Sequence, residues 1–387
     1  MIKMIAAYTR ELDDPEKATE EILRQFDPQK DLLAHSAGLL FCYSEFLELG
    51  VVDSLCKKLP FSVAGCTSQC FAVPGVSDEI MLTLLVLTSD DVEFAAGVSG
   101  PLTHDMDRQI SSLYKELSAS LSGPPVLAFT MLPLNMNYGG DTVFLTLERA
   151  AGGSLPFFGT CALDADTKIR NPMTIFNGAA YNDNIALLLL SGNVTPHFFS
   201  ASLPEKTSFA LDAIVTRADG NKILTINNLP AGNFMEKLGI SRLEPRTTLF
   251  AIPIFADYHT GEPPDLLVIR DIGEDGSVIC TTNVAAGCTL NVGSLTADFV
   301  LASAKELVCQ IKNSNAVSSG VLLFSCLNRN IAMADPTAEL EAVQKEFENF
   351  PFPWLFMYAT GEICPLHTEA NTLRNHFNQY ALIACAL

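Results

Sequence analysis

VSSGVLLFSCLNRN (317–330), PFPWLFMYATGEICPL (351–366) and NHFNQYALIACAL (375–387) are the stretches from which the fold is read. Each holds a short apolar run bounded by small or polar residues, the pattern of a strand buried on both faces. An acidic helix separates the first from the second. The runs end in polar clusters: Ser325, Cys326, Asn328 and Arg329; then Tyr358, Thr360, Gly361 and Glu362; then His376, Asn378 and Gln379. Binding groups collect at strand ends, where helices and loops leave a crevice. Convergence of these ends would bring a cation, a carboxylate, a thiol and amides together.

Composition narrows the classes. At 387 residues the chain can hold two or three domains, and 48% hydrophobic against 18% charged residues describes a well-packed globular protein. A formal net charge of −20 repels phosphate backbones and anionic bilayers, so neither nucleic acid nor membrane is an expected partner. The apolar runs at 80–87, 185–190 and 381–387 are far shorter than the roughly 20 residues of a spanning helix. The first residues turn charged too early for a secretory leader, which gives a cytoplasmic expectation. The 11 cysteines form no CxxC pair, and most lie inside apolar runs, where a thiol acts as a small hydrophobe. Cys66 and Cys70, with no histidine nearby in sequence, make a poor zinc site.

Order along the chain repeats. A helix over 16–26, a strand at 38–42, an amphipathic helix over 45–58, a strand at 60–64 and a strand at 80–87 make the first copy. Helices over 105–121 and 141–151, with strands at 125–129, 155–158 and 184–190, make the second. Helices over 297–312 and 336–349, with strands at 320–325, 353–358 and 380–386, make the third. GLLFCYSE, PVLAFTML and VLLFSCLN correspond, as do LPFSVAGCTS, LPFFGTCAL and PFPWLFMYATGE. Between the second and third copies, 209–294 is strand-rich, with hairpin signals at Ala218–Asn221 and Glu274–Gly276. The expected fold is α/β (α+β): mixed sheets flanked by helices, three divergent helix–strand–helix–strand–strand units and a β-rich insertion. The expected divisions are 1–200, 208–296 and 297–387.

With these motifs in place, the chain resembles the FIST family of signal-input domains, an N-terminal and a C-terminal FIST segment fused. The carrying text is VAGCTSQ (63–69), AIVTRADGNKILTINNLPA (213–231), LLVIRDIGEDGSV (266–278), GVLLFSCLNR (320–329), YATGEICPL (358–366) and HFNQYALIACAL (376–387). The resemblance implies a sensory module for a small molecule, with amino acids the foremost ligand class. It carries over Cys326, Arg329, Tyr358, Gly361, Glu362 and Asn378, together with Gly65, Cys66, Thr67 and Arg270, as ligand-site positions. Thr360 joins them from the same strand end. The sequence departs from the family at Gln69-Cys70, where a Gly-Glu pair is usual. No output segment is attached, so a separate downstream signalling protein is implied, and a homodimer is a second expected association.

Read from their own chemistry, Arg329 and Glu362 suit an amino-acid zwitterion: a guanidinium grips a carboxylate, and a carboxylate accepts from an ammonium. They suit an ion pair with each other equally well. Arg270, followed by Asp271, reads as an exposed strand-end charge. Cys326, with His376 as its base, or Cys66 at the matching strand end of the first copy, would serve a cysteine-dependent hydrolase or isomerase of amino-acid-like substrates. Asp164-Ala-Asp166 lacks the glycine and distal glutamate of a calcium loop, and neither GxGxxG nor GxxxxGK[ST] occurs, so no cofactor is expected. The leading expectation is a stand-alone sensor that binds an amino acid or derivative without turnover.

Overall fold

A computed structural model describes residues 2–135, 137–163, 172–205, 208–240, 252–260, 264–314, 316–367 and 372–387. The Asp164-Ala-Asp166 segment lies outside them. The fold is mixed α/β, as expected. Among the described residues no helix is long and apolar enough to cross a membrane.

Three groups of four strands share one order. In the first, Lys3–Thr9, Leu82–Ser89, His35–Cys42 and Ser62–Thr67 lie side by side, with the last pair parallel and the others antiparallel. In the second, Val92–Val98, Ala186–Gly192, Pro125–Leu132 and Phe157–Cys161 repeat that order and those directions. In the third, His197–Ala201, Leu382–Ala386, Val321–Cys326 and Trp354–His367 repeat it again. Each parallel pair needs a helical crossover. These are Glu45–Glu48 with Val51–Lys58, then Gly140–Ala150, then Leu327–Ile331 with Ala338–Glu346. A helix also precedes each parallel pair: Pro15–Leu23, Leu102–Ser120 and Ala297–Asn313.

The first group forms one sheet with two short strands, Thr174–Phe176 and Ala179–Tyr181. The second and third groups join into a single larger sheet through Trp354–His367 and Phe157–Cys161, which run antiparallel. Helices cover the outer face of each sheet, and the inner faces pack on one another. Coverage on both faces explains the continuous apolar strands. Phe41 from the first group, Phe158 from the second and Phe324 from the third meet in the middle, with ring centroids 5.5 Å (Phe41–Phe324) and 5.0 Å (Phe158–Phe324) apart. Each such ring contributes about 1.5–3 kcal/mol by leaving water.

The β-rich insertion sits between strand His197–Ala201 and helix Ala297–Asn313 of the third group. Among the described residues it is a separate eight-stranded sheet built from strands between Phe209 and Val292, with its own apolar core around Val215, Ile254, Leu267 and Val278. The hairpin expected at 218–221 is present, turning at Gly220 with φ +55.

Three local expectations are corrected and one strand is added. The helix expected over 45–58 breaks at Gly50, whose φ of +79 suits glycine and ends the first turn. Lys3–Thr9, unassigned from sequence, is a strand on the edge of the first sheet. The strand expected at 353–358 runs from Trp354 to His367, passing through Gly361 on a bulge. Residues 327–331, expected to follow a strand as a polar tail, form a short helix.

Candidate functional site

The third group's parallel pair sets the site. Ser325 lies opposite Tyr358 and Cys326 opposite Ala359, so both strands deliver polar residues at one level. Beyond Ala359, strand Trp354–His367 changes neighbours. Up to Tyr358 it pairs with Gln69–Val73; from Thr360 it pairs with Phe157–Cys161, placing Glu362 beside Thr160. The second and third groups therefore meet where that strand switches, beside Gln69–Val73, which follows the first group's strand Ser62–Thr67 in the chain. Gly361 makes the switch feasible: its φ is +68, and a Cβ there would come within 2.4 Å of the Phe377 ring.

Arg329 is fully buried in the helix that follows Cys326. Its Nε and Nη2 donate to Glu339 Oε1 at 3.0 and 2.7 Å, and Nη2 also donates to Val300 O and Ser303 Oγ at 3.1 and 2.9 Å. Ser325 Oγ donates to the other Glu339 oxygen at 3.0 Å. The ion pair considered between Arg329 and Glu362 is thus formed with Glu339 instead. The carboxylate comes from the first turn of helix Ala338–Glu346, which docks against Ala297–Asn313 and reaches the guanidinium first. Arg329 is committed to holding two helices against a strand end, and only its Nη1 is left without a hydrogen-bond partner.

Glu362 is buried completely, and neither carboxyl oxygen has a partner in hydrogen-bond geometry. Burial pushes its carboxyl well above the usual 4.5; the nearby Cys326 thiol, the Ala381 amide and Arg329 oppose this without reversing it. Asn378 Nδ2 donates to the Glu362 backbone carbonyl at 3.2 Å, which fixes the strand rather than the carboxyl.

On its other side Glu362 faces Cys161. Burial raises that thiol, Glu362 raises it further, Arg270 lowers it and Asp141 raises it, so these four groups share one neighbourhood. Arg270 is only 2% exposed, and its Nη1 donates to Asn135 O at 2.8 Å. The expectation of an exposed charge is corrected: the insertion docks this strand against the second group and encloses the guanidinium. Asp141, at the start of helix Gly140–Ala150, accepts from the Asn283 amide at 3.1 Å, and burial raises its carboxyl too. The Phe377 ring closes over Gly140 and Gly361. Tyr380, fully buried, donates to Ile252 O of the insertion at 3.0 Å.

The remaining expected residues divide. Tyr358 is fully buried; burial raises its hydroxyl, and Glu339 adds to the rise, which places it on the Arg329 side. Thr360 is half-buried and donates to Ala162 O at 3.2 Å, a strand-pairing role. Thr67 accepts from the Met173 amide at 2.9 Å and closes the first group's strand end. Cys66 is fully buried near Cys42 and Cys161. Its matching of Cys326 is corrected by the register. Cys42 ends its strand opposite Thr67 as Cys326 does opposite Ala359, whereas Cys66 corresponds to Tyr358. His376, expected as a base for Cys326, acts electrostatically on Asp265 instead. Burial holds the Cys326 thiol well above 9.0, and Glu362 adds to this, so it rests as the thiol. Sequence reasoning missed Glu339, Asp141 and Phe377, and noted Cys161 only as a strand end. Among the described residues no three His, Cys, Asp or Glu side chains gather to hold a metal.

No curated protein matches the chain. Residues 36–229 match the FIST N domain, and residues 226–365 match the FIST C domain. FIST domains are generally sensory domains for small ligands in signal transduction. With both segments present in tandem over nearly its whole length, the chain belongs to the FIST family.

Proposed function

We propose that this chain is a sensor that takes an amino acid or a close derivative at the junction around Glu362, without turning it over. Glu362 carries the reading. A carboxyl group shut away from water with two unsatisfied oxygens is costly, on the order of 1–3 kcal/mol or more, and native interiors rarely keep one idle. An ammonium offers three donors to such a group. Arg270, which acts on the Cys161 thiol as Glu362 does but with opposite sign, supplies a cation for the ligand's carboxylate. The thiols favour binding over catalysis, since nucleophilic cysteines need a lowered pKa and access, and Cys326 has neither. All 11 cysteines are unbridged, which fits a reducing cytoplasm. The three strand groups are divergent copies of one unit, with the β-rich sheet inserted in the third. A downstream signalling protein reads the occupied state.

The test is isothermal titration of the refolded, ligand-stripped protein with a panel of amino acids. Binding by wild type and its loss in Glu362→Gln, at unchanged circular dichroism, are expected. Flat traces across the panel for wild type would overturn the reading.

A further inference from the structure

The cation that acts on Glu362, Arg329, is already engaged by another carboxylate. From helix Leu327–Ile331 comes Arg329, already matched by Glu339 at 2.7 Å with both side chains fully buried. Strand Val321–Cys326 contributes Cys326, and strand Phe157–Cys161 contributes Cys161, both thiols raised by burial. Helix Gly140–Ala150 contributes Asp141, which raises the Cys161 thiol as Glu362 does, and the insertion contributes Arg270, which lowers it. Tyr380 stands beside Cys326, its hydroxyl raised by burial. None of these groups meets a Glu362 oxygen in full hydrogen-bond geometry, although the Cys326 thiol lies close enough to pull its carboxyl down against the larger effect of burial. An ionised carboxylate in such a place would carry an uncompensated buried charge, which proteins avoid by taking up a proton. Burial pushes the carboxyl in the same direction.

We propose that Glu362 stands as the neutral acid while the junction is closed and releases its proton to solvent when an ammonium enters, so that capture exchanges one cation for one proton. This rests on the reading of the site given above and names its ligand class: the occupant must present a protonated amine. Only the carboxyl O–H bond breaks; nothing covalent forms with the ligand, and the proton goes to buffer. At Glu362 the incoming ammonium replaces the positive charge of the departing proton, and the ligand's carboxylate is met by Arg270. Linkage then fixes the pH response. While the empty site is protonated and the filled one is not, affinity rises about tenfold for each pH unit. The rise ends once Glu362 ionises unaided or the ligand's amine loses its own proton. A sensor built in this way reports amine ligand and alkalinity together.

Two measurements test the exchange. Infrared spectra of wild type should show the carbonyl stretch of an unionised carboxylic acid above pH 6, absent in Glu362→Gln. A pH titration of the wild-type band gives the same information should the variant fail to fold. Calorimetry with the twenty amino acids and their N-acetyl forms, in phosphate and in Tris at one pH, should show release of about one proton per amino acid bound. The band should vanish on saturation, and the N-acetyl forms should give no heat. The exchange is overturned by a wild-type spectrum without the band, by a band that persists at saturation, or by equal binding of N-acetyl forms. If no amino acid binds, the site reading falls and the exchange with it. A band still present would then show that the binding step failed, not the protonation.

Discussion

Arg329 and Glu339 form the buried ion pair on which the third group depends, and cutting it from either side should be far worse than removing it whole. In Glu339→Leu the guanidinium keeps only Val300 O and Ser303 Oγ, losing both bonds to Oε1. In Arg329→Met the carboxylate keeps only Ser325 Oγ. Each single change strands a charge that is fully buried, a situation that costs about 3–5 kcal/mol. The double variant leaves no stranded charge and fills the space with methylenes, so it should lie within about 1–2 kcal/mol of wild type. The coupling between the two sites is then several kcal/mol, well above the error of a double-mutant cycle. The sole tryptophan reports the transition: Trp354 is 1% exposed and stacks on Phe347 at 5.0 Å in the core that these helices share. Urea unfolding followed by its fluorescence gives the four free energies. Single variants that cost under about 1 kcal/mol, or a double variant as damaged as the sum, would refute the structural role. Retained amino-acid binding in the double variant would show that the guanidinium is not the ligand's clamp.

Glu362→Gln should flatten the pH dependence of stability. The folded carboxyl titrates above 4.5, so from there upward the folded state holds one proton more than the unfolded. The Glu362 contribution is largest below 4.5 and falls by about 1.4 kcal/mol per pH unit as pH climbs toward the folded value; parallel stability curves for the two proteins would exclude this. Gly361→Ala should cost about 2–4 kcal/mol, combining an unfavourable φ of +68 with a methyl 2.4 Å from Phe377, and thermal melting reads the loss. Native Cys326 should resist iodoacetamide at pH 7 and react on unfolding, as mass spectrometry of the labelled peptide would show. Tyr380→Phe removes the hydroxyl's bond to Ile252 O and should loosen the insertion by about 1 kcal/mol, measured by protease cleavage within 209–292.

Much of this architecture can be read in the chain itself. Runs such as VLLFSC and VLAFTML name buried strands because both faces of each sheet are covered, and acidic or proline starts name the helices. Strand Trp354–His367 is harder, since Gly361 and Pro365 look like stops. Glycine at φ +68 lets the strand continue, and Pro365 falls beyond the last pairing with Phe157–Cys161, at Ile363. The site shows the same division. That Arg329 and Glu362 stand in polar clusters at strand ends is visible in the sequence. Which carboxylate the guanidinium takes is not, because Glu339 belongs to a helix whose acidic first turn reads as ordinary dipole compensation. Arg270 reads as exposed because its burial depends on how a distant sheet docks, which no local pattern encodes.

The strand from Trp354 to His367 has a mechanical consequence. Its first half is bonded to the parallel partner of its own group and to Gln69–Val73, the strand that follows the first group's Ser62–Thr67; its second half is bonded to the second group and to Leu373–Asn378. Glu362 lies just past the changeover, so any guest that wedges there pushes on a beam gripped at both ends by different bodies. On the reading proposed above, a displacement of this strand would be felt by both groups at once, and their outer surfaces would carry it to whatever molecule rests on them.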